Sequence, residues 1–496
     1  MTIFAMICWS LLGAENPAGP LETSLPGLMA QAPVPGMCLA YLENGETVWE
    51  KAFGLANAES KQPAALDTVF EAASLSKPVF AYLCMRLADQ GILDLDAQLA
   101  ETLPNSRMDH DPRYKQFTAR MILSHRSGLP NWGGAKLDLK FDPGTSFQYS
   151  GEGYVYLSQV VEKLTGEDLR TLFKREVFDP LGMALSAYTW QPVYKKKMAT
   201  SHDRFGKVIL NREPKHTVNT AASLYTTVGD YARFVQAVMN GKGLKAETYR
   251  QMLTSQGRAK LFPPEGMADD PNIEWALGWG ILKAGGHNFY WHWGDNGSFK
   301  SWVVWDSMQQ RSLMYFANAQ EGHALLEKIS GLFHQDLPKA MAQLGYEPVT
   351  TPGRKERLNG ERLIQMGHYQ EAAKAFRSAV KKNPQSETLV TYLSWSMDLH
   401  RAQENPIVLE PSAMARLAGQ YGPRRLFVED GHLHYQRDGR STYRLIPLMG
   451  NQFALEGEFS FRIQVVEEGN VPQKIVGHYI NGEQDETPRG PKENTP

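Results

Sequence analysis

The 496-residue sequence has little cysteine, no excess of either charge and no long apolar run in its interior. Three cysteines are too few for a disulfide scaffold, which excludes the small disulfide-rich secreted classes. The 52 Lys and Arg side chains balance 54 Asp and Glu side chains to a net charge of −2, so nucleic acid is not an expected partner. At roughly 100–200 residues per domain, the length predicts about three domains.

An apolar run opens the chain at residues 3–14, which is shorter than the roughly 20 residues that a membrane span needs. Its length is typical of a signal peptide, predicted over residues 1–14, although no Lys or Arg precedes it. The alternative is a buried N-terminal strand or helix. With a signal peptide, the mature protein would be periplasmic or secreted, without a stable membrane span. After cleavage of the segment that holds Cys8, Cys38 and Cys84 would form either one bond or two inert buried thiols.

Strand-like segments at both ends of the first 320 residues enclose a helical middle. Residues 35–59 indicate a hairpin, because Asn44-Gly45 between apolar runs is a strong turn signal. The further patterns are helical at 74–90, 117–124, 153–165, 167–175, 229–240 and 321–334, and strand-like at 275–283, 288–293, 299–306 and 311–317. Together they predict an α+β fold, with an antiparallel sheet that carries helices on its faces.

The composition changes near residues 346–354, where Pro and Gly favour a linker after a main domain at 20–346. A tetratricopeptide-like helical segment is predicted at 355–402, and a small β-barrel domain with tight turns at 405–487. Only one helix pair is visible, and a lone pair cannot bury its own apolar face. The helical segment is therefore expected to pack on a neighbouring domain, and it is also a candidate surface for a protein partner.

The first candidate catalytic motif is Ser74-Leu75-Ser76-Lys77. It follows an apolar run and opens the helix predicted at 74–90. A spacing of three places Ser74 and Lys77 on one helical face, close enough to share a hydrogen bond. A serine needs an adjacent base to act as a nucleophile, and Ser–Lys pairs are one known solution. The spacing alone is weak evidence, because Ser378 and Lys381 repeat it in the helical segment, where we interpret them as surface residues.

Five further motifs follow Ser74 in a fixed order. They are LSHRSGLP at 123–130, PGTSFQYSG at 143–151, LYTTVGD at 224–230, LGWG at 277–280 and HWGDNG at 292–297. The series resembles the serine β-lactamase/penicillin-binding-protein superfamily over about residues 25–340, in particular its class C β-lactamase-like branch of D-aminopeptidases, carboxypeptidases and esterases. The resemblance implies a β-lactamase/transpeptidase-like fold for the main domain.

The resemblance also implies a role for each matching residue. Ser74 would be the acylated nucleophile, and Lys77 would move its proton. Tyr149 matches the tyrosine of a Y-x-N motif, which acts with the lysine as general base. The backbone N–H groups of Ser74 and Asp295 would form the oxyanion hole. His125 we interpret as fixing a turn beside Pro130 rather than touching substrate.

Two residues depart from the pattern of the superfamily. His292-Trp293-Gly294 matches the K-T-G/H-x-G strand that lines the cleft, but histidine gives little fixed charge for a substrate carboxylate near pH 7. Gly151 stands at the third position of Y-x-N, so the amide that would contact substrate and lysine is missing. Glu152 follows, and whether it reaches the cleft stays open. Both departures argue against efficient β-lactam turnover.

The sequence therefore predicts an exported serine hydrolase that acts through an acyl-enzyme on a peptide, amide or ester. An esterase or D-amino-acid peptidase is favoured over an efficient β-lactamase. The alternative is a catalytically silent binding or scaffold protein that retains the penicillin-binding fold. No metal-ligand spacing and no phosphate or dinucleotide motif occurs, so no metal and no cofactor are expected, and the partner is a small-molecule or peptide substrate.

Overall fold

The computed structural model describes residues 16–210, 212–264 and 266–490. They form two compact units, which divide between Val349 and Thr350 inside the segment predicted as a linker. The predicted signal peptide and Cys8 lie outside the described residues. Within these ranges, no helix combines the length and the apolar character that crossing a membrane requires.

The first unit combines a large antiparallel sheet with many helices. Its helices are α1 (Ala18–Gln31), α2 (Ser76–Asp89), α3 (Leu99–Thr102), α4 (Ala119–Leu123), α5 (Gly151–Thr165), α6 (Leu169–Phe173), α7 (Asp179–Leu181), α8 (Val228–Met239), α9 (Ala246–Leu253), α10 (Leu326–Phe333) and α11 (Leu337–Ala342). Its strands are β1 (Gly36–Glu43), β2 (Glu46–Asn57), β3 (Gln62–Pro63), β4 (Phe70–Ala73), β5 (Leu224–Thr226), β6 (Ile273–Trp275), β7 (Gly280–Ala284), β8 (His287–Asp295), β9 (Lys300–Asp306) and β10 (Arg311–Ala317).

Eight strands form the main sheet in the order β3-β2-β1-β10-β9-β8-β7-β6. The N-terminal hairpin therefore lies beside the last strand of the unit, with Met37 opposite Ala317. Asn44 and Gly45 both have positive φ, 53° and 72°, as the predicted two-residue hairpin turn requires. The short strands β4 and β5 pair separately, and the Ala72 carbonyl in β4 accepts from the Ser301 hydroxyl of β9 in the main sheet.

Side chains of β1 are buried on both faces of the main sheet. On one face, Cys38, Ala40 and Leu42 share a core with α2, α5 and α8. On the other face, Met37, Leu39 and Tyr41 share a core with α1, α10 and α11. Because successive side chains of a strand alternate between faces, a continuous apolar strand needs helices on both sides. This three-layer arrangement confirms the predicted α+β fold.

One predicted strand is wrong. Residues 275–283 form a hairpin of β6 and β7, in which Trp275 pairs with Gly280. The turn between them includes Gly278 at a φ of 86°, and a Cβ there would lie 2.4 Å from the Ala81 Cβ on α2. The apolar residues of this run are buried in the turn against α2, so apolar content alone could not separate turn from strand.

The two remaining cysteines are buried and unbonded, which decides between the two alternatives left open by the sequence. Burial raises the pKa of the Cys38 thiol to about 12 and raises the pKa of Cys84 as well. Because the thiolate is the reactive form, both side chains are inert core residues.

The second unit begins with three successive helices rather than one pair. They are α12 (Arg354–Gln365), α13 (Tyr369–Lys382) and α14 (Glu387–Glu404), and a short α15 (Pro411–Leu417) follows. Phe376 on α13 stacks on Tyr392 on α14 with ring centroids 5.0 Å apart. The apolar face of the predicted pair is therefore covered by α14 and, as expected, by the neighbouring strand region, because Phe376 and Tyr392 share a core with Leu448 and Ala454.

Eight strands complete the second unit as a meander in sequence order. They are β11 (Gly419–Tyr421), β12 (Arg424–Glu429), β13 (His432–Arg437), β14 (Thr442–Pro447), β15 (Gln452–Leu455), β16 (Glu458–Glu468), β17 (Val471–Tyr479) and β18 (Gln484–Pro488). Gly490, just after the last strand, donates its N–H to the carbonyl of Gln420 in the first strand at 2.8 Å. The sheet is thereby nearly closed, which agrees with the predicted β-barrel.

Candidate active site

Ser74 lies in the turn between β4 and α2, where it is partly exposed. The preceding Ala73 has a φ of 49°, in the left-handed region that disfavours residues with a Cβ. The Ser76 hydroxyl donates to the Ala73 carbonyl at 2.6 Å and holds this turn. Strained backbone of this kind clusters at functional sites, where the surrounding structure enforces it.

Lys77 lies one turn further along α2, and its side chain is fully buried. Its Nζ donates to Ser74 Oγ at 3.1 Å and to the carbonyl of Ala221 at 3.0 Å. Burial lowers the pKa of Lys77 from 10.5 to about 7. A large part of the Lys77 amine is therefore neutral near pH 7 and able to accept a proton from Ser74.

Tyr149 is buried beside this pair, directly before the N-cap of α5. The Lys77 Nζ lies 4.6 Å from the centroid of its ring. Burial raises the pKa of the Tyr149 phenol, and the hydroxyl of Ser74 opposes part of that shift without completing a hydrogen bond. The phenol is thus neutral at pH 7, so of these three side chains Lys77 is the one able to accept a proton.

His125 is a site residue whose role sequence analysis described incompletely. It does lie in a turn, at a φ of 59°, but its ring also packs against Tyr149, with centroids 4.3 Å apart and the planes tilted by 34°. The Ser150 N–H donates to its Nδ1 at 3.0 Å, so the neutral ring carries its proton on Nε2. The fully buried His125 therefore positions Tyr149 from behind, and only the fold brings the motifs at 123–130 and 143–151 together.

His292 lies on β8 and is fully buried, with its ring centroid 6.1 Å from that of Tyr149. Its Nδ1–H donates to the Trp293 carbonyl at 2.8 Å, which leaves Nε2 as a bare acceptor. Nε2 has no partner among the described residues. Burial, with a contribution from Lys77, lowers the pKa of His292 to about 3. Where related strands carry a lysine, this site therefore presents a neutral hydrogen-bond acceptor.

Gly294 allows β8 to approach the turn that carries the nucleophile. A Cβ at this position would lie 2.2 Å from Ser301 Oγ and 2.4 Å from the carbonyl oxygen of Ala72. Ser301 in turn donates to the same Ala72 carbonyl at 2.7 Å. The contact with β4 thus requires glycine at position 294.

The substitution Gly294→Ala is expected to displace β8 from the nucleophile turn. Since a shift of about 1 Å can cost around 100-fold in rate, kcat/KM should fall at least tenfold, and overpacking should cost about 1–3 kcal/mol of stability. Ester hydrolysis and thermal melting measure the two effects. Gly27→Ala is the matched control, because nothing lies within 4 Å of a Cβ there. Unchanged activity in Gly294→Ala would show that β8 does not shape the site.

Asp295 is the last residue of β8, and its carboxylate takes part in an ion pair and two hydrogen bonds. It pairs with Lys300 Nζ at 2.5 Å and accepts hydrogen bonds from the Tyr346 hydroxyl at 2.8 Å and the Gly297 N–H at 2.7 Å. Burial acts to raise the pKa of Asp295, but Lys300 and His323 outweigh it and hold the pKa below its usual value. The side chain thus fixes the strand end, and only the backbone of Asp295 is left for the oxyanion-hole role.

Gly151 is the first residue of α5, and the indole of Trp132 occupies the space beside it. A Cβ at position 151 would lie 2.6–2.8 Å from three carbons of that ring. Glu152 does not project freely into a cleft, because it pairs with Arg107 at 2.7 Å and accepts from the Gly133 N–H at 3.0 Å. The missing amide of the Y-x-N pattern is therefore replaced by an aromatic ring.

A charge network that sequence analysis missed ties β4 to the end of β8. Glu71, buried within β4, accepts from Arg212, Lys215 and Asn296 at 2.6–2.7 Å. Burial acts to raise the pKa of Glu71, but the two cations outweigh it and lower the pKa to about 2. Asn296 also donates to the Ala222 carbonyl at 3.1 Å, beside the carbonyl that holds Lys77. The sequence did carry one signal for this network, namely Glu71 itself, an acidic residue within an apolar strand.

The first curated relatives include a named hydrolase and a named penicillin-binding protein. Unguisins hydrolase ungD of Aspergillus violaceofuscus is 26% identical over 243 residues, which are 42% of this chain and 42% of that protein. Penicillin-binding protein 4 of Amycolatopsis lactamdurans is 25% identical over 297 residues, 54% of this chain and 77% of that protein. The chain spans about half the length of the first curated relatives it matches, 42% and 57%.

Two solved structures show the same fold. The octameric penicillin-binding protein homologue from Pyrococcus abyssi matches with a TM-score of 0.53 at 18% identity, over 95% of this chain and 98% of that one. The D-alanine carboxypeptidase AmpC from Burkholderia cenocepacia matches with a TM-score of 0.53 at 18% identity, over 64% and 98% of the two chains.

The family assignment rests on the model for the family described as Beta-lactamase, which matches residues 21–330. That range contains Ser74, Lys77, Tyr149 and the strand with His292, which the fold brings into one cluster, buried except for the partly exposed Ser74. Because the match covers more than half of the chain, the protein belongs to the Beta-lactamase family.

Proposed function

We propose that this protein is a serine hydrolase that acts through an acyl-enzyme at Ser74. The observation that carries the proposal is the buried Lys77, whose Nζ lies 3.1 Å from Ser74 Oγ and whose pKa is lowered to about 7. A buried lysine without an acidic partner costs stability, and a catalytic base is a sufficient reason to retain one. The named hydrolase and penicillin-binding relatives support the same class of chemistry.

In the proposed reaction, neutral Lys77 takes the hydroxyl proton while Ser74 Oγ bonds to the substrate carbonyl carbon. The backbone N–H groups of Ser74 and Asp295 stabilise the oxyanion that forms. Lys77, with the neutral Tyr149 phenol beside it, returns the proton to the leaving group as the scissile bond breaks. A water molecule then attacks the Ser74 ester, the acid product leaves, and Ser74 regains its proton.

For the substrate, we propose esters, amides or peptides, with esters or D-amino-acid peptides ahead of β-lactams. Gly151 has no amide to hold the side chain of a β-lactam adduct. His292 Nε2 is a neutral acceptor, so it offers no charge to a substrate carboxylate. Small activated esters need neither contact. The export of the protein and a protein partner for residues 355–402 stay predictions.

The proposed function is tested by labelling and turnover on the full chain. We expect a fluorophosphonate probe to modify Ser74 and short-chain p-nitrophenyl esters to be hydrolysed. With penicillins we expect no reaction or a slowly released adduct, detected by mass spectrometry beside a nitrocefin assay. Fast nitrocefin turnover without a trapped adduct would make the protein a β-lactamase. Absence of both labelling and turnover would favour the silent scaffold.

The pH dependence of ester hydrolysis is expected to follow Lys77. Its folded-state pKa is lowered to about 7, so the active neutral amine is lost as pH falls below 7 and predominates above it. kcat/KM should therefore drop about tenfold per pH unit below 7 and level off above it. His292, with a pKa of about 3, stays neutral across this range. Values of kcat/KM between pH 5 and 9 at constant ionic strength measure this fall in rate. A midpoint of the pH profile near 10 would contradict the assignment to Lys77.

A further inference from the structure

An exposed tryptophan stands beside the catalytic cluster. Trp132 is 51% exposed, yet its ring lies against the Gly151 backbone, two residues from Tyr149. Single exposed apolar side chains are common on protein surfaces, so this indole is of interest because of its position beside Gly151 and Tyr149. Any side chain at position 151 would displace the ring, because a Cβ there would lie within 2.8 Å of three indole carbons.

The loop that carries Trp132 is held on both sides of the indole. The Gly151 N–H donates to both the carbonyl and the side-chain oxygen of Asn131, each at 3.0 Å. On the other side, the Gly133 N–H donates to Glu152 at 3.0 Å, and Arg107 donates to the Gly133 carbonyl at 3.2 Å. A ring fixed in this way loses little conformational freedom when a ligand packs on it.

A second exposed ring adjoins the same segment. Phe262 is 47% exposed, and its ring lies 6.3 Å from Tyr149 and 6.2 Å from Trp293, edge to face with both. The Glu152 carboxylate near Trp132 is already paired with Arg107, so it adds no free charge. The surroundings of Tyr149 thus present two apolar rings and no unpaired cation at these positions.

We propose that Trp132, together with Phe262, forms a subsite for an apolar, preferably aromatic, acyl group of the substrate. This inference rests on the proposed function, because the acyl group is the part that stays bonded to Ser74 Oγ after the leaving group departs. The indole takes the place of the amide that the Y-x-N pattern would supply. The subsite therefore offers an apolar acyl group a ring to stack on, where the Y-x-N pattern would offer an acylamide a hydrogen bond.

The test compares two esters that share a leaving group, p-nitrophenyl phenylacetate and p-nitrophenyl acetate. In each, Ser74 Oγ displaces p-nitrophenolate, and water then releases the acid. The wild-type protein should prefer the phenylacetate, and Trp132→Ala should lower that kcat/KM ratio about tenfold. Trp132→Phe should keep most of the preference, and Gly151→Ala should lower it by crowding the indole. Trp49→Ala, at a tryptophan on β2 that donates to Glu22 and packs against the core around α1, is the control for loss of an indole and should leave the ester ratio unchanged.

The outcomes separate the two proposals. Ser74-dependent hydrolysis with an unchanged ester ratio in Trp132→Ala would overturn the subsite and leave the hydrolase standing. Absence of any Ser74-dependent turnover and labelling would overturn the hydrolase and the subsite with it. Because Trp132 is half exposed, its truncation should leave the melting temperature unchanged, and melting curves of every variant check this.

Discussion

Replacing Ser74 with alanine is expected to lower kcat/KM for ester hydrolysis by about 1,000-fold or more, since the acyl-enzyme cannot form without its oxygen. The fold should survive, because the hydroxyl is partly exposed and its recorded hydrogen bond comes from Lys77. Loss of one such bond changes the free energy of unfolding by about 0.5–1.5 kcal/mol. Steady-state kinetics and thermal melting on the same preparation measure both quantities.

The chain carries its own control for this variant. Ser378 and Lys381 repeat the S-x-x-K spacing on α13, within the second unit. Ser378→Ala should leave kcat/KM and fluorophosphonate labelling unchanged. If Ser378→Ala abolished activity and Ser74→Ala did not, the assignment of the nucleophile would be wrong.

Replacing Lys77 with methionine is expected to lower kcat/KM about 100-fold to 10,000-fold, the range in which loss of a general base falls. Methionine is similar in length and apolar, so it suits a position that is fully buried. The buried Ala221 carbonyl would lose one donor, which should cost about 1–3 kcal/mol of stability. Activity should therefore fall far more than the melting temperature.

The residual activity of Lys77→Met provides the sharper readout. Its kcat/KM should no longer fall as pH drops below 7, because the group that titrates there is gone. Lys381→Met, at an exposed position, is the matched control and should keep both the rate and its fall below pH 7. If kcat/KM of Lys77→Met still fell below pH 7, the base would be another group.

The sequence by itself predicted the family, a candidate nucleophile and the main features of the fold. The Ser74 and Lys77 pair, the order of the later motifs and turns such as Asn44-Gly45 are local patterns. Such a pattern can be recognised in the sequence because its physical cause acts within a few residues. That cause is helical spacing for the Ser74 and Lys77 pair and a positive φ for the Asn44-Gly45 turn. The continuous apolar run of β1 likewise has a local cause, because a strand that is apolar at successive positions must be covered on both faces, so a sheet with helices on its faces could be predicted.

The tertiary structure decided which of these residues meet and in what state. It lowered the pKa values of Lys77 and His292, because segments distant in the chain bury both side chains. It placed His125 behind Tyr149, set the ring of Trp132 against Gly151, and left Cys38 and Cys84 unbonded. Desolvation and close approach depend on residues far apart in the chain, so no local pattern encodes them.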